Sequence, residues 1–247
     1  MIVLDKCDKT PEVPNSEVIW KKRERNVLLE WAKLIKREDP DIIIGYNTFG
    51  FDWHFLLDRA DELGCKSEFL TLMNRNKNER CDIIESTTKV ASGTYELVYV
   101  KIPGRIQIDL YNYFRRDYNL TSYKLDYVAG NFIGDKVKTI ATDEITEKTT
   151  ITTKNMTGLL VGSYINFEEI GHSNEYYQEG RKFIVIELLS NGFVINGIAE
   201  PDMETKTVRW GLAKDDVTPQ DIFRMTNEGP TSRAIIAKYC IQDCNLV

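Results

Sequence analysis

The chain has 247 residues, 42% of them hydrophobic and 28% charged, with a formal net charge of −6 and a pI near 5.2. That is enough for one full domain and part of another, and the acidity argues against a nonspecific nucleic-acid coat, so any DNA contact must be local, at patches such as Lys21-Lys22-Arg23 or Arg115-Arg116 that otherwise read as solvated faces. No run approaches the ~18 apolar residues of a membrane span, and Met1 is not followed by a basic flank and an apolar stretch.

Five scattered cysteines, Cys7, Cys65, Cys81, Cys240 and Cys244, suit reduced thiols in an intracellular compartment better than a disulfide framework, and no Cys or His completes a zinc spacing with Cys240 and Cys244. His54 and His172 are the only histidines, too few to argue a histidine-based mechanism.

Residues 1–20 read as a short strand, a loop interrupted by Pro11 and Pro14, and a strand at Val18-Ile19-Trp20. From Arg25 to Arg37, Val27, Leu28, Trp31, Ala32, Leu34 and Ile35 mark an amphipathic helix that ends before Pro40. Ile42-Ile43-Ile44 is a short β-branched run bounded by Gly-Tyr-Asn, which predicts a buried strand stopping at a turn. Phe55, Leu56, Ala60 and Leu63 recur at helical spacing, so Trp53 to Leu63 is expected to be a helix packed on the sheet, in an α/β layer arrangement. Asp52 opens that helix at the strand's C-terminal side, where open α/β sheets gather ligands. Asp is also a preferred N-cap, and from the local pattern alone the cap is the favoured reading.

Residues 66–93 are polar and less periodic, with Asn74 to Arg80 read as an exposed loop and DNA contact a minority option. Tyr95 to Val100 and Arg105 to Leu110 read as strands turning at Pro103-Gly104. Asp109 ends the second strand, a position from which a carboxylate can support the ligands of a site nearby; a strand-end carboxylate that merely binds backbone is the commoner case. Tyr111 to Tyr118 and Ser122 to Phe132 read as helices.

Composition then shifts. Strand-like runs at Leu159–Phe167, Arg181–Leu189, Gly192–Ile198 and Lys206–Trp210, with a hairpin signal at Asn191-Gly192, predict a small β-rich insertion over 139–208. Its aromatics Tyr164, Phe167, Tyr176, Tyr177 and Phe183 suit base stacking, but at strand spacing core positions are commoner. Thr218 to Met225 reads as a short helix. Thr231 onward is a second, with Thr231 or Ser232 as cap, a stripe of Ile236, Cys240 and Val247, and Asp243 within that stripe. A carboxylate on a core-facing stripe needs a partner, typically a cation or metal ion; a frayed end where Asp243 meets water is an equal alternative. Tyr239 stands one turn before Asp243, so phenol and carboxylate share a face.

Asn47-Thr48-Phe49-Gly50-Phe51-Asp52 resembles the second exonuclease motif (Asn-x-x-x-Phe-Asp) of family B DNA polymerases, and Tyr239-Cys240-Ile241-Gln242-Asp243 resembles the third (Tyr-x-x-x-Asp). Between them, Gly104 to Leu110 and Arg116 to Asp126 are similar to connecting segments of the delta-type enzyme and its large-DNA-virus relatives. The likeness covers most of 1–138 and 208–247, in matching order. It implies an α/β, ribonuclease H-like 3′–5′ exonuclease fold, divided as 1–138, the 139–208 insertion, and closing helices over 209–247.

By that resemblance Asp52 and Asp243 are metal ligands, Tyr239 orients the attacking water or scissile phosphate, and Asn47 and Phe51 shape the pocket for the unpaired terminal nucleotide; Phe51 is equally placed for plain core. Hydrolysing a phosphodiester puts negative charge on the attacking and leaving oxygens, which two divalent ions about 3.5–4 Å apart stabilise. Mg²⁺ or Mn²⁺ takes oxygen donors, hence carboxylates. The implied partners are a single-stranded DNA 3′ end, the remaining polymerase domains and, through them, a sliding clamp, at an intracellular viral replication site.

No Asp-x-Glu strand is found upstream of Asn47, and the polymerase motifs Asp-x-x-Ser-Leu-Tyr-Pro-Ser and Tyr-x-Asp-Thr-Asp are missing. The expectation is an internal piece of a viral replicative polymerase, inactive or nearly so alone. The alternatives are a non-catalytic ribonuclease H-like module with an architectural or nucleic-acid-binding role, and a stand-alone nuclease that recruits Asp109.

Overall fold

The structure is a computed structural model and describes the whole chain except residues 11, 12, 14, 15, 77, 78, 91, 92, 215 and 216 and the side chain of Val90. Pro11 and Pro14 of the expected first loop, and Lys77 and Asn78 of the second, lie outside the described residues. The chain packs as two compact units, residues 1–123 with 217–245 and 247, and residues 124–216 with 246.

In the first unit, β1 (Ile2–Leu4) and β2 (Ile19–Lys21) pair in parallel. Helix α1 (Glu24–Glu38) buries Leu28, Leu29 and Ala32 and stops at Asp39, whose left-handed backbone (φ 49°) precedes Pro40. Strand β3 (Ile42–Gly45) leads through a π-helical turn at Thr48–Asp52 into α2 (Trp53–Glu62). Then comes α3 (Lys66–Met73), a helix that the polar composition of 66–93 did not announce. It buries Phe69 and Met73; Trp31 stacks on Phe69 at 5.8 Å and meets Trp53 edge-on at 6.0 Å.

Strands β4 (Asp82–Val90) and β5 (Gly93–Lys101) form an antiparallel hairpin, and β6 (Ile106–Asp109) runs into α4 (Leu110–Asp117). Two expectations are corrected here. The Pro103-Gly104 turn does not pair its flanking strands: β5 pairs back to β4, while β6 pairs in parallel with β3, Ile42 opposite Ile106 and Gly45 opposite Asp109. Nor is the isoleucine strand buried. Alternation turns only Ile43 toward the core, and Ile42 (53% exposed), Ile44 (51%), Ile106 (62%) and Ile108 (38%) line up on the opposite face. In the 74–80 loop, Arg75 is committed to structure: it bonds Asp39 and Asp41 at 2.8 Å and the Gly104 carbonyl at 2.7 Å.

The second unit opens with α5 (Leu125–Phe132), followed by β7 (Gly134–Asp143), β8 (Lys148–Thr153), β9 (Tyr164–Ile170), β10 (Asn174–Tyr176), β11 (Phe183–Leu189), β12 (Gly192–Asn196) and β13 (Thr207–Ala213). The pairings run β7, β8, β12, β11, β9, β13 and back to β7, a closed barrel with β10 added beside β9. Closure uses Gly134 to Lys136 against Arg209 to Gly211, so residues on the outer side of both expected insertion boundaries, 138 and 208, are part of the barrel sheet. The hairpin at Ser190-Asn191 is present, Leu189 opposite Gly192, with a bulge upstream. Phe167, Phe183, Phe193 and Trp210 fill the interior, and Tyr177 packs against them, so core positions rather than base platforms account for three of the five aromatics singled out.

Returning to the first unit, α6 (Pro219–Glu228) is capped by Thr218, which exchanges hydrogen bonds with Asp221. In α7 (Pro230–Cys244) the cap is Gly229 with Pro230 behind it, not Thr231 or Ser232. Proline suits the first helical position, which moves the start upstream. The Thr231 hydroxyl instead donates to Asp8 (2.8 Å), and Arg233 donates to the Lys6 carbonyl (2.8 Å), tying α7 to the segment after β1. Ala237 and Tyr239 are the buried residues of α7; Ile236 and Cys240 are half-buried and Val247 is exposed.

Candidate active site

Two parallel strands end side by side, and their C-terminal ends build the site. At the end of β3 the chain must reverse within a few residues, and Asn47 takes the left-handed conformation (φ 60°, ψ 24°) that Asn tolerates better than most residues. Its carbonyl accepts from Gly50 (3.2 Å) and Phe51 (3.0 Å), which starts the π-helical turn. The amides of the reversal point toward the end of β6, where Asp109 is buried and receives them. Oδ1 accepts from Asn47 N (2.8 Å) and Tyr111 N (3.0 Å), and Oδ2 from Phe49 N (2.9 Å) and Asn112 Nδ2 (3.2 Å). Asp109 thus caps α4 and clamps the 47–49 turn at once. Four protein donors occupy its oxygens, an arrangement of structural anchoring rather than metal ligation. Tyr111 and Asn112 belong to this clamp and were not singled out from sequence; the Asp-x-x-Asn run at a strand-to-helix junction is the signal for a capping residue.

The turn sorts its aromatics. Phe49 points inward and stacks on Tyr99 at 4.6 Å, while Phe51 is 64% exposed and is not a core residue. Asp52 closes the turn and begins α2, yet its side chain makes no capping hydrogen bond. The helix cap favoured from the local pattern is therefore not its role. Solvent reaches Asp52, but desolvation by neighbouring atoms raises its pKa, and the Asp109 charge adds to that; its own backbone N–H works the other way.

Tyr239, buried, and Asp243, half-buried, lie one turn apart on α7 as the spacing predicts. Beyond them, Cys244 carries a thiol whose pKa is raised, first by desolvation, then by Asp243 and also by Asp52, with the N-terminal ammonium opposing. Among the described residues no group of three or more His, Cys, Asp or Glu side chains is placed to hold a metal ion. The carboxylates of Asp52 and Asp243 are of the donor type that Mg²⁺ and Mn²⁺ prefer, and two carboxylates are fewer oxygen ligands than either ion takes. Of the two residues expected to shape a nucleotide pocket, Asn47 is half-buried at the start of the turn and Phe51 is exposed within it.

Comparison with known proteins decides the lineage. The family model described as DNA polymerase family B, exonuclease domain, matches residues 1–128. The chain belongs to this family. A DNA polymerase of Phaeocystis pouchetii virus is 41% identical over 245 residues, which is 94% of this chain and 23% of that polymerase. One from Pyramimonas orientalis virus is 40% identical over 246 residues, the whole of this chain and 18% of that protein. The DNA polymerase delta catalytic subunit of Candida albicans is 38% identical over 133 residues, or 53% of this chain and 13% of that subunit. The chain therefore spans a quarter or less of these family B relatives. The Pyramimonas virus match runs through the barrel, whereas the family model ends at residue 128, before β7 begins. No helix among the described residues is long and apolar enough to cross a membrane.

Proposed function

We propose that this chain is the part of a viral replicative family B DNA polymerase that carries half of its metal-dependent 3′–5′ proofreading site. The observation that carries the reading is that the Asn47–Asp52 turn and the Tyr239–Asp243 segment of α7 lie in one compact unit of a chain that belongs to the family B exonuclease family. In this reading Asp52 and Asp243 hold Mg²⁺ or Mn²⁺, which when bound activates water and stabilises charge on the phosphate. Tyr239, one turn before Asp243, directs its phenol at the water or the scissile phosphate. Asn47 and Phe51 receive the unpaired 3′-terminal nucleotide, the exposed Phe51 ring supplying a stacking face.

The remaining carboxylates come from an Asp-x-Glu strand laid along the free edge of β3, giving the ribonuclease H-like sheet. The four exposed isoleucines of β3 and β6 are the apolar surface that such completion covers. Residues 1–123 with 217–245 form the exonuclease portion, and the barrel unit of 124–216 takes the place of the insertion expected at 139–208. The other polymerase domains, and a sliding clamp bound through them, are its partners at an intracellular site of viral replication.

The test is Mn²⁺ titration of the chain, read by electron paramagnetic resonance, beside hydrolysis of single-stranded DNA. The chain is expected to bind Mn²⁺ weakly and hydrolyse DNA poorly or not at all, with Asp52→Ala and Asp243→Ala each lowering Mn²⁺ affinity about tenfold, in line with the loss of a ligating group. Unchanged Mn²⁺ affinity in both variants would refute the site. Brisk Mg²⁺-dependent digestion abolished by Asp52→Ala would refute the half-site claim while upholding the chemistry.

A further inference from the structure

A cleft of about 400 Å³ opens on the first unit, lined by Tyr95 of β5, Asp109 of β6, and Asn112, Tyr113, Arg115 and Arg116 of α4. That volume lies within the range of small-ligand pockets. Its chemistry is two guanidinium groups and two phenol rings. The Arg115 guanidinium carbon stands 4.3 Å from the Tyr95 ring centroid, 4.9 Å from Tyr123 and 5.1 Å from Tyr111, so three rings fix the orientation of one planar cation. Arg116 lies 5.9 Å over Tyr113 and bonds Asp117 twice at 2.8 Å. Both members of that pair are exposed, so it is screened and contributes little, and a phosphate oxygen can take the place of Asp117 on Arg116.

Asp109 is the carboxylate in the lining, and its four donors are already set against its charge. An anion entering the cleft therefore meets the Arg116 guanidinium, paired with the exposed Asp117, and the Arg115 guanidinium, which also donates to the Tyr111 hydroxyl. Tyr113, 39% exposed, offers a ring face beside them, and Asn112 an amide. A flat ring joined to a phosphate matches this set.

We propose that the cleft binds one unpaired nucleotide, with its base against Tyr113 and its phosphate on Arg115 and Arg116. The proposal rests on the exonuclease reading for the source of that nucleotide, an internal residue of the single strand. A free nucleoside monophosphate has the same chemistry. Because Asp109 both lines the cleft and clamps the 47–49 turn, the cleft and the turn bearing Asp52 share one anchor.

The experiment is fluorescence anisotropy of a labelled oligothymidylate of about 12 nucleotides, within the usual single-strand site size, added to the whole chain in EDTA. Working without metal separates this readout from the Mn²⁺ titration, so either reading can fail alone. Tyr113→Ala is expected to weaken binding about tenfold and Tyr113→Phe to restore it, since stacking needs the ring and not the hydroxyl. Arg116→Gln is expected to weaken binding several-fold and to lower the slope of log affinity on log salt by about 0.7, the contribution of one phosphate contact on a single strand. Both positions are exposed, which spares the fold, whereas Arg115 holds three rings together. Competition by millimolar thymidine monophosphate would assign the cleft to a free nucleotide as well, and its failure to the strand alone. Oligonucleotide binding that is absent in EDTA, or equal in wild type, Tyr113→Ala and Arg116→Gln, overturns the proposal.

Discussion

Replacing Asp109 with Ala removes the acceptor for three backbone amides and one side-chain amide in a single step. The donors are not equal. Tyr111 N lies at the start of a helix and Asn112 Nδ2 is on a rotatable side chain, so water or a small rotation satisfies both. The amides of Asn47 and Phe49 are fixed by a left-handed residue and a π-helical turn, and they lose partners at 2.8 and 2.9 Å. Hydrogen bonds to a charged group contribute roughly 1.5–3 kcal/mol each, so these two alone place the cost at about 3–6 kcal/mol. A domain with ~5–15 kcal/mol of net stability loses a large fraction of it.

The effect should concentrate at the turn, and amide hydrogen exchange reads it there: protection of Asn47 and Phe49 is expected to fall by on the order of 100-fold. Mn²⁺ affinity should fall with it, although Asp52 and Asp243 are intact, because Asp52 is delivered by the turn. Asp109→Asn, which keeps one acceptor oxygen and turns a donor toward the other amide, should recover only part of the loss. If Asp109→Ala unfolds in urea within about 1 kcal/mol of wild type, or leaves exchange at 47 and 49 unchanged, the clamp does not hold the turn.

In the barrel, a Cβ on Gly192 would collide with the Ile151 carbonyl oxygen of the neighbouring strand, so Gly192→Ala should cost at least ~1–3 kcal/mol, seen as an earlier loss of the near-ultraviolet signal of Trp210; an unshifted transition counts against that close approach. Asp135 gives a pH dependence in the same unit. Burial opposes its ionisation, but the Asn155 (2.8 Å) and Lys154 (3.2 Å) amides, the Thr153 hydroxyl (3.0 Å) and a further backbone bond at Lys136 outweigh it, and its pKa is lowered. A folded pKa below the unfolded value of about 3.9 adds stability that is present above that value and lost as pH falls through the folded one. The stability gap between wild type and Asp135→Ala, from urea midpoints, should therefore be widest near neutrality and shrink below about pH 4; a gap independent of pH would contradict this account.

Where local pattern governs, the chain was readable. Helix α1 follows its amphipathic stripe and its Pro40 stop, α2 follows Trp53 to Leu63, α6 follows the Thr218 cap, and the β11–β12 hairpin follows Asn191-Gly192. What was missed depends on partners far along the sequence. Pro103-Gly104 makes a turn whichever strands flank it, and nothing local states that β6 belongs beside β3, some 60 residues upstream. The same pairing sets the function of Asp109: as an isolated strand-end acid it suits a site or a cap, and only with Asn47 and Phe49 across from it does the clamp become visible. Exposure of Ile42 and Ile44 was equally illegible, because a short β-branched run reads the same whether one or both of its faces are covered.

Charge divides between the units in a way that bears on where DNA is held. Residues 124–216 contain ten Lys and Arg against fifteen Asp and Glu, leaving the rest of the chain near neutral at 22 against 23. Single-strand binding wants a positively charged groove with aromatic platforms on it. The barrel is acidic and spends its phenylalanines and Trp210 on its own interior. Along α4 and hairpin β4–β5 the first unit instead sets arginines among exposed or half-buried tyrosines. The chemistry for gripping a strand thus gathers beside the turn that carries Asp52, on the same unit as Asp243, while the barrel has the composition of a self-contained insertion. An acidic net charge is compatible with the proposed DNA-directed function because most of the excess acid lies on the barrel unit, not on the unit proposed to meet the phosphates.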